Sequence, residues 1–239
     1  MIRQKLYIYK THFQILNNQF VYTLILLIFT LKGFSQNFET GLLPELTFSY
    51  KLSETYTYVQ KFESRFPSFN SKEEDFDVQF ERFDFQNFLE RKMGLFSKLA
   101  IGYQYRIRNG IADEHRAIQQ FSWVDQLSSF RIGHRLRSDQ TFSRIERPQF
   151  RIRYRAKIQL PLQGQQLDVG EYYLTFSDEM VWSYLASQEE LENRFVAKLG
   201  LYLNDRNKIE WGLDWRAESF FSNNTKHQLW LGLSWYRVL

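Results

Sequence analysis

Side chains that alternate between apolar and charged with a period of two, kept up over ten or more residues, leave a chain few choices of fold. From Pro148 to Leu160, Phe150, Ile152, Tyr154, Ala156, Ile158 and Leu160 share one face, while Arg151, Arg153, Arg155, Lys157 and Gln159 share the other. Period two belongs to a β-strand, whose successive side chains point to opposite faces. The arrangement recurs in Leu95–Arg108, Leu127–Ser138, Arg194–Leu203 and Lys208–Glu218. Further runs are Glu39–Leu52, Thr55–Phe66, Asp77–Lys92, Glu114–Val124, Glu171–Trp182 and Lys226–Leu239, eleven in all. No helical period persists between them. Short breaks near Ser53-Glu54, Lys92-Met93-Gly94, Asp125-Gln126 and 204–207 alternate with longer ones at 67–76, 138–147, 183–192 and 219–225; only 161–170 is out of step. Short turns at one rim and longer loops at the other describe an up-and-down meander.

A soluble barrel would also alternate, with its apolar face inward. Three features turn the apolar face outward. The runs reach the roughly 9–11 residues that a membrane-spanning strand needs, against about 5–6 for a soluble strand. Aromatic residues make up 18% of the chain and cluster toward run ends, as at Tyr172-Tyr173 and Trp182, Trp211 and Trp215, and Trp230, Trp235 and Tyr236, the positions of interfacial girdles. The last run places Leu229, Leu231, Leu233, Trp235 and Leu239 on one face, interrupted by Arg237. Packing agrees: about fifty large apolar side chains overfill a barrel of this size, whereas its lipid-facing surface takes them readily. The expected fold is therefore all-β, a transmembrane antiparallel up-and-down β-barrel in the bacterial outer membrane, with a soluble β-sandwich as the alternative. Bacterial single-chain barrels use even strand numbers. The eleven runs thus lead to an expectation of about 12 strands, with 10 as the second choice.

The N-terminus reads differently. Val21–Leu31 is apolar, too short to span a bilayer, preceded by basic residues and followed by Gly33-Phe34-Ser35, the layout of a cleaved secretory signal peptide. Residues 1–35 are accordingly read as signal and 36–239 as barrel. Those first 35 residues hold Arg3, Lys5, Lys10, Lys32 and no acid, which accounts for the whole net charge of +4. The remaining 27 basic and 27 acidic residues balance, so charge gives no reason to expect nucleic acid. Zero cysteines exclude disulfides, zinc-thiolate sites and thiol nucleophiles.

Several short motifs fall in order along the chain: Glu63-x-Arg65, Gly102-Tyr103-x-Tyr105, Glu114-His115-Arg116, Arg131-x-x-x-Arg135, Arg151-x-Arg153-Tyr154-Arg155, Glu179 and Asn193-Arg194. With them the chain resembles an uncharacterised family of bacterial β-barrel-type envelope proteins known only as a domain of unknown function. The resemblance implies a barrel and an outer-membrane address, and no established activity.

With the apolar face in lipid, the lumen receives the charged face. The expected lumen-lining and solute-binding residues are Arg106, Glu114, Arg116, Arg131, Arg135, Arg137, Arg151, Arg153, Arg155, Lys157, Glu179, Arg194 and Arg216. The balancing acids are expected in loops such as Lys72–Asp77 and Gln188–Glu192. An arginine-rich interior inside a low-dielectric wall concentrates anions, and the arginine fork suits carboxylates, including those of sugar acids. The favoured function is passage or binding of small anionic solutes. The alternative is a closed structural or adhesive barrel in which arginine and glutamate pair across the lumen, exposing loops 67–76 and 138–147. Enzymatic activity is not expected: His115, His134 and His227, with Ser138, Ser143 and Asp139 nearby in sequence, lack a nucleophile-elbow or metal-ligand pattern. No cofactor or metal is expected. The expected partners are outer-membrane lipid, the barrel-assembly machinery and small anionic solutes.

Overall fold

The computed structural model of the chain describes residues 37–239 apart from 73–74, 127–129, 165 and 221–224. The expected signal segment therefore lies outside the described residues. The described chain is strands joined by turns, with no helix among the described residues. The strands are β1 Phe38–Lys51, β2 Tyr56–Asn70, β3 Asp75–Phe76, β4 Arg82–Lys92, β5 Ser97–Arg108 and β6 Glu114–Gln126. They continue with β7 Arg131–Ser143, β8 Gln149–Pro161, β9 Tyr172–Leu185, β10 Gln188–Asn204, β11 Asn207–Glu218 and β12 Lys226–Val238.

Each long strand pairs with its neighbours in sequence, and β1 pairs with both β2 and β12, which closes the sheet into a barrel. The two-residue β3 pairs only with the end of β2, and residues 77–81 go on bonding β2 through Asp77, Gln79 and Glu81. The run Asp77–Lys92 thus takes one place in the wall. The wall has eleven strands, not the twelve or ten expected. The even-number rule fails because the ends meet in parallel: Phe38 lies opposite His227 and Ser49 opposite Val238. In an up-and-down wall an odd count makes the first and last strands point the same way, so this seam is the only parallel pair among the described residues. It also puts Asn37 and Leu239 at opposite rims. The rim at which β1 ends is here the upper rim.

The line of paired residues that starts at Lys51 descends through Gln120, Arg137, Arg153 and Glu192 and returns to β1 near Asn37, about fourteen residues lower. With eleven strands spaced by about 4.8 Å, such a stagger gives a tilt near 45° and a backbone radius of about 11 Å. Arginines on facing walls are long enough to approach one another across that width.

The connection expected to be out of step stays long, whereas the breaks expected at 183–192 and 138–147 are shorter than expected. Loop 162–171 is the longest at the upper rim, while 183–192, expected as a long lower loop, is a two-residue hairpin turn at Ala186 and Ser187. Both have positive φ, 51° and 69°, the backbone of a type I′ turn, which favours Asn-Gly. Break 138–147 shrinks to 144–148 because β7 runs on to Ser143.

Alternation holds along the whole wall. Outward-facing Ile101 is 62% exposed, Leu213 49%, Leu231 53% and Leu233 55%, while inward-facing Asp84, Gln104 and Asp139 are all 2% exposed or less. Polar inside and apolar outside is the reverse of a water-soluble core. Aromatic rings ring the outer face toward both ends, with Trp123, Tyr172 and Trp235 above and Trp182, Tyr184 and Trp215 below. Trp230, Tyr173 and Tyr236, placed with those girdles by sequence, point inward instead, since they stand on the charged phase of their strands. Trp230 is fully buried beneath the Arg65 guanidinium, 4.5 Å from its ring centre. Two inward rings lie flat on glycines of the next strand, Phe88 on Gly102 and Tyr173 on Gly200, where a Cβ would overlap the ring.

Gly200→Val should push Tyr173 off the wall and cost about 1–3 kcal/mol in urea unfolding of the refolded protein. The double change Ala186→Asn with Ser187→Gly should raise stability by about 1 kcal/mol in the same assay, by removing two strained left-handed residues.

Candidate functional site

The lumen holds a cavity of about 1310 Å³ whose lining reaches from Gly94 and Phe96 at the upper rim to Gln149 and Glu190 at the lower. Its lining carries eighteen lysines and arginines against ten aspartates and glutamates. The distribution is uneven. Strands β5–β8 contribute ten of those cations and none of the acids; β1, β2, β4 and β9–β11 supply all ten acids with eight cations. Positive potential is therefore concentrated on one side of the lumen.

The lower half is crossed by a belt of buried, mutually paired charges. Arg106 on β5 makes a two-pronged bond to Asp84 on β4, at 2.6 and 2.7 Å, and reaches Glu114 on β6 at 3.4 Å. Arg116 donates to Thr141 at 2.9 Å and lies 3.4 Å from Glu114. Arg153 sits 2.6 Å from the fully buried Asp139. Glu179 on β9 takes in three cations, Arg135 directly and Arg153 and Arg194 at 3.7 Å. Arg194 also holds Glu192 in two bonds of 2.6 and 2.8 Å, and Arg216 holds Asp214 at 2.9 and 2.8 Å. These last pairs are two residues apart on one strand, so period two alone puts them on one face. Fork-to-carboxylate geometry of this kind satisfies charges that would be costly if buried alone.

Toward the upper rim the pairing thins on β7 and β8. Register sets Arg135 opposite Arg155 and Arg137 opposite Arg153, like charges that repel across adjacent strands. Arg137 bonds the Gln120 amide oxygen, at 3.1 and 2.7 Å, while Arg151, near the lower rim, bonds Thr141 at 3.0 Å. Lys157 reaches Glu210 at 3.8 Å. Arg155 faces Glu179 in register, yet that carboxylate is taken up by Arg135, Arg153 and Arg194. Among the described residues Arg155 has neither an ion pair nor a hydrogen bond, and its Nε is buried without a partner. Arg131 stands exposed at the upper rim, also lining the cavity.

All thirteen residues expected in the lumen point into it. Twelve line the cavity, and Glu114 lies just behind, under Arg106 and Arg116. The expectation that the acids sit in loops is corrected. Glu45, Asp84, Asp139 and Glu192 face the lumen from strands. Asp84 alternates with Phe83 and Phe85, a signal open to reading. Asp139 and Glu192 lie within the expected breaks 138–147 and 183–192, because polar residues at strand ends resemble loops. Of the Lys72–Asp77 stretch, Asp75 belongs to β3, and residues 73–74 lie outside the described residues. The histidines stand on the outer face. His115 Nδ1 is 2.6 Å from the Tyr103 hydroxyl and His134 Nδ1 2.8 Å from that of Tyr154, with Asp125 3.2 Å from Nε2. His227 stacks on Trp215. Asp139, across the wall, is directed into the lumen, so it and the histidines are not brought together. No group of three or more metal-ligating side chains occurs among the described residues.

The fold and its contents define a class: a closed β-barrel with an apolar exterior and a charged, arginine-rich interior. The chain belongs to the protein family of unknown function DUF2490, whose family model matches residues 40–228, almost the whole barrel. No curated protein and no solved structure compared with the chain matches it.

Glu179→Gln should destabilise the barrel by about 3–5 kcal/mol, since among the described residues it removes the one carboxylate paired with Arg135 and takes a second from Arg153 and Arg194, which keep Asp139 and Glu192. Arg155→Gln removes a cation that no acid balances and should leave stability unchanged or raised; denaturant titration of both variants checks the contrast.

Proposed function

We propose that this barrel lies in a bacterial outer membrane with its apolar face in lipid, and that its lumen binds and passes small anionic solutes. The observation that carries the reading is the excess of cations in the lumen, eighteen in the cavity lining against ten lining acids and the buried Glu114 and Asp139 behind them. Such a surface in a low-dielectric wall attracts anions and repels cations. The membrane part rests on the outer face. Large apolar side chains left in water forgo about 1.5–3 kcal/mol each, and lipid removes that loss. Strands of 11 to 17 residues tilted near 45° rise far enough to cover the apolar band of about 25 Å. A closed wall also leaves no unpaired edge within lipid, a requirement for any spanning sheet. Delivery by a signal peptide at 1–35 and insertion by the barrel-assembly machinery belong to the same reading.

The closed structural barrel is the second reading, favoured by the belt of buried ion pairs in the lower half. Bilayer recording separates the two. The refolded protein is expected to give discrete conductance steps with a reversal potential displaced toward that of chloride, and Arg155→Gln with Lys157→Gln should at least halve that displacement. A folded, inserted barrel without conductance would contradict passage and leave the closed barrel. Arg153 is a poor position for this test, because Arg153→Glu sets a third carboxylate beside Asp139 and Glu179 and should unfold the protein.

A further inference from the structure

Beside the main cavity, on the β6–β8 wall, lies a small pocket of about 170 Å³. It is lined by Ser122, Gly133, Arg135, Arg155 and Lys157 together with Trp123, Val124 and His134, and by no acid. The space exists because the lumen-facing position between Val124 and Lys157 is a glycine: Gly133 pairs with both in register, and a Cβ built there meets only the Lys157 carbonyl oxygen, at 3.7 Å. Three cations therefore border a gap that a side chain would otherwise fill. Arg135 and Arg155 are direct cross-strand neighbours, and Lys157 is two residues along the same face from Arg155. Their repulsion is only partly met, since Glu179 is taken by Arg135 and Glu210 approaches Lys157 at 3.8 Å, while Arg155 has no partner among the described residues. The Nε atoms of Arg135 and Arg155 are both buried without a hydrogen-bond acceptor.

We infer that this pocket is a discrete site for a dianionic oxyanion, the phosphoryl group of a small solute, held by Arg135, Arg155 and Lys157 with the Ser122 hydroxyl at its edge. The inference rests on the reading of the lumen as an anion surface and narrows it to one location and one chemistry. A tetrahedral dianion offers acceptor oxygens in several directions, which suits donors arriving from two strands, and its double charge offsets the unbalanced cations. A single carboxylate, planar and singly charged, meets fewer of these donors. Glycine at 133 is what leaves the room, and its φ does not fall in the left-handed region, so the backbone accepts a larger residue there.

Calorimetric titration of the refolded barrel with inorganic phosphate tests the site. Saturable binding of one phosphate per chain is expected, with acetate at least tenfold weaker at equal ionic strength. Arg155→Gln should weaken phosphate binding at least tenfold, Arg155→Lys less, and Gly133→Val, which keeps every charge and fills the gap, should abolish it. Folding of each variant is checked by its heat-modifiable gel mobility. Phosphate binding that survives Gly133→Val in a folded barrel would overturn the site, as would no binding at all by the folded wild-type protein. Phosphate binding without conductance would keep this site and remove passage. Anion-selective conductance without phosphate binding would keep passage and overturn the site.

Discussion

A β-sheet can present an apolar face to its surroundings and a charged face to its interior only if it has no edges, and in this chain that condition rests on the pairing of β1 with β12. Twelve register pairs, from Phe38 with His227 to Ser49 with Val238, complete a wall in which each strand is bonded on both sides. Parallel pairing is slightly weaker per residue than antiparallel, but it accepts an odd strand number that antiparallel closure forbids. The stagger fixed by that closure sets the radius, and the radius sets what the lumen can be. At about 11 Å the wall is too wide for small side chains to fill and narrow enough for arginines to meet acids from neighbouring and facing strands.

The interior chemistry follows from that width. Below, acids and guanidiniums are near parity and satisfy one another, as in Asp84–Arg106–Glu114 and the group around Glu179. Above, β7 and β8 offer guanidiniums in excess, and like charges face each other across the register. One element thus serves two ends: the same period-two pattern that stiffens the lower lumen through ion pairs leaves a basic surface in the upper part.

Much of this was open to reading in the amino-acid sequence. All eleven wall strands were recognisable as alternating runs, because period two is a local property and each run keeps it. The number of strands is not legible for a non-local reason: whether the ends close in parallel depends on how the two terminal runs meet, and nothing within Glu39–Leu52 or Lys226–Leu239 reports that. Arginines of the lumen were legible from their phase. Asp139 and Glu192 were not, since a charged residue within a few positions of a turn looks the same whether it points into a barrel or into solvent. Trp230 sits among the aromatics of a run end, yet its even-numbered phase, shared with Gln228 and opposed to Leu229 and Leu231, puts it inside. The emptiness at Gly133 is a tertiary feature, visible only once β6 and β8 flank it.

In the proposed arrangement the barrel is turned inside out, with lipid against its apolar face and water within. The chain has no cysteine, so single cysteines can be placed without background. The most direct measurement is the accessibility of such labels in liposomes. Leu213→Cys and Leu231→Cys, on the outer face, should carry an environment-sensitive dye that reports hydrocarbon and is quenched by lipid-borne quenchers. Lys198→Cys, on the inner face of β10, should report water and be quenched by a soluble ion. Outer labels quenched from the aqueous phase as readily as the inner one would contradict the account and return the apolar face to some other cover than lipid.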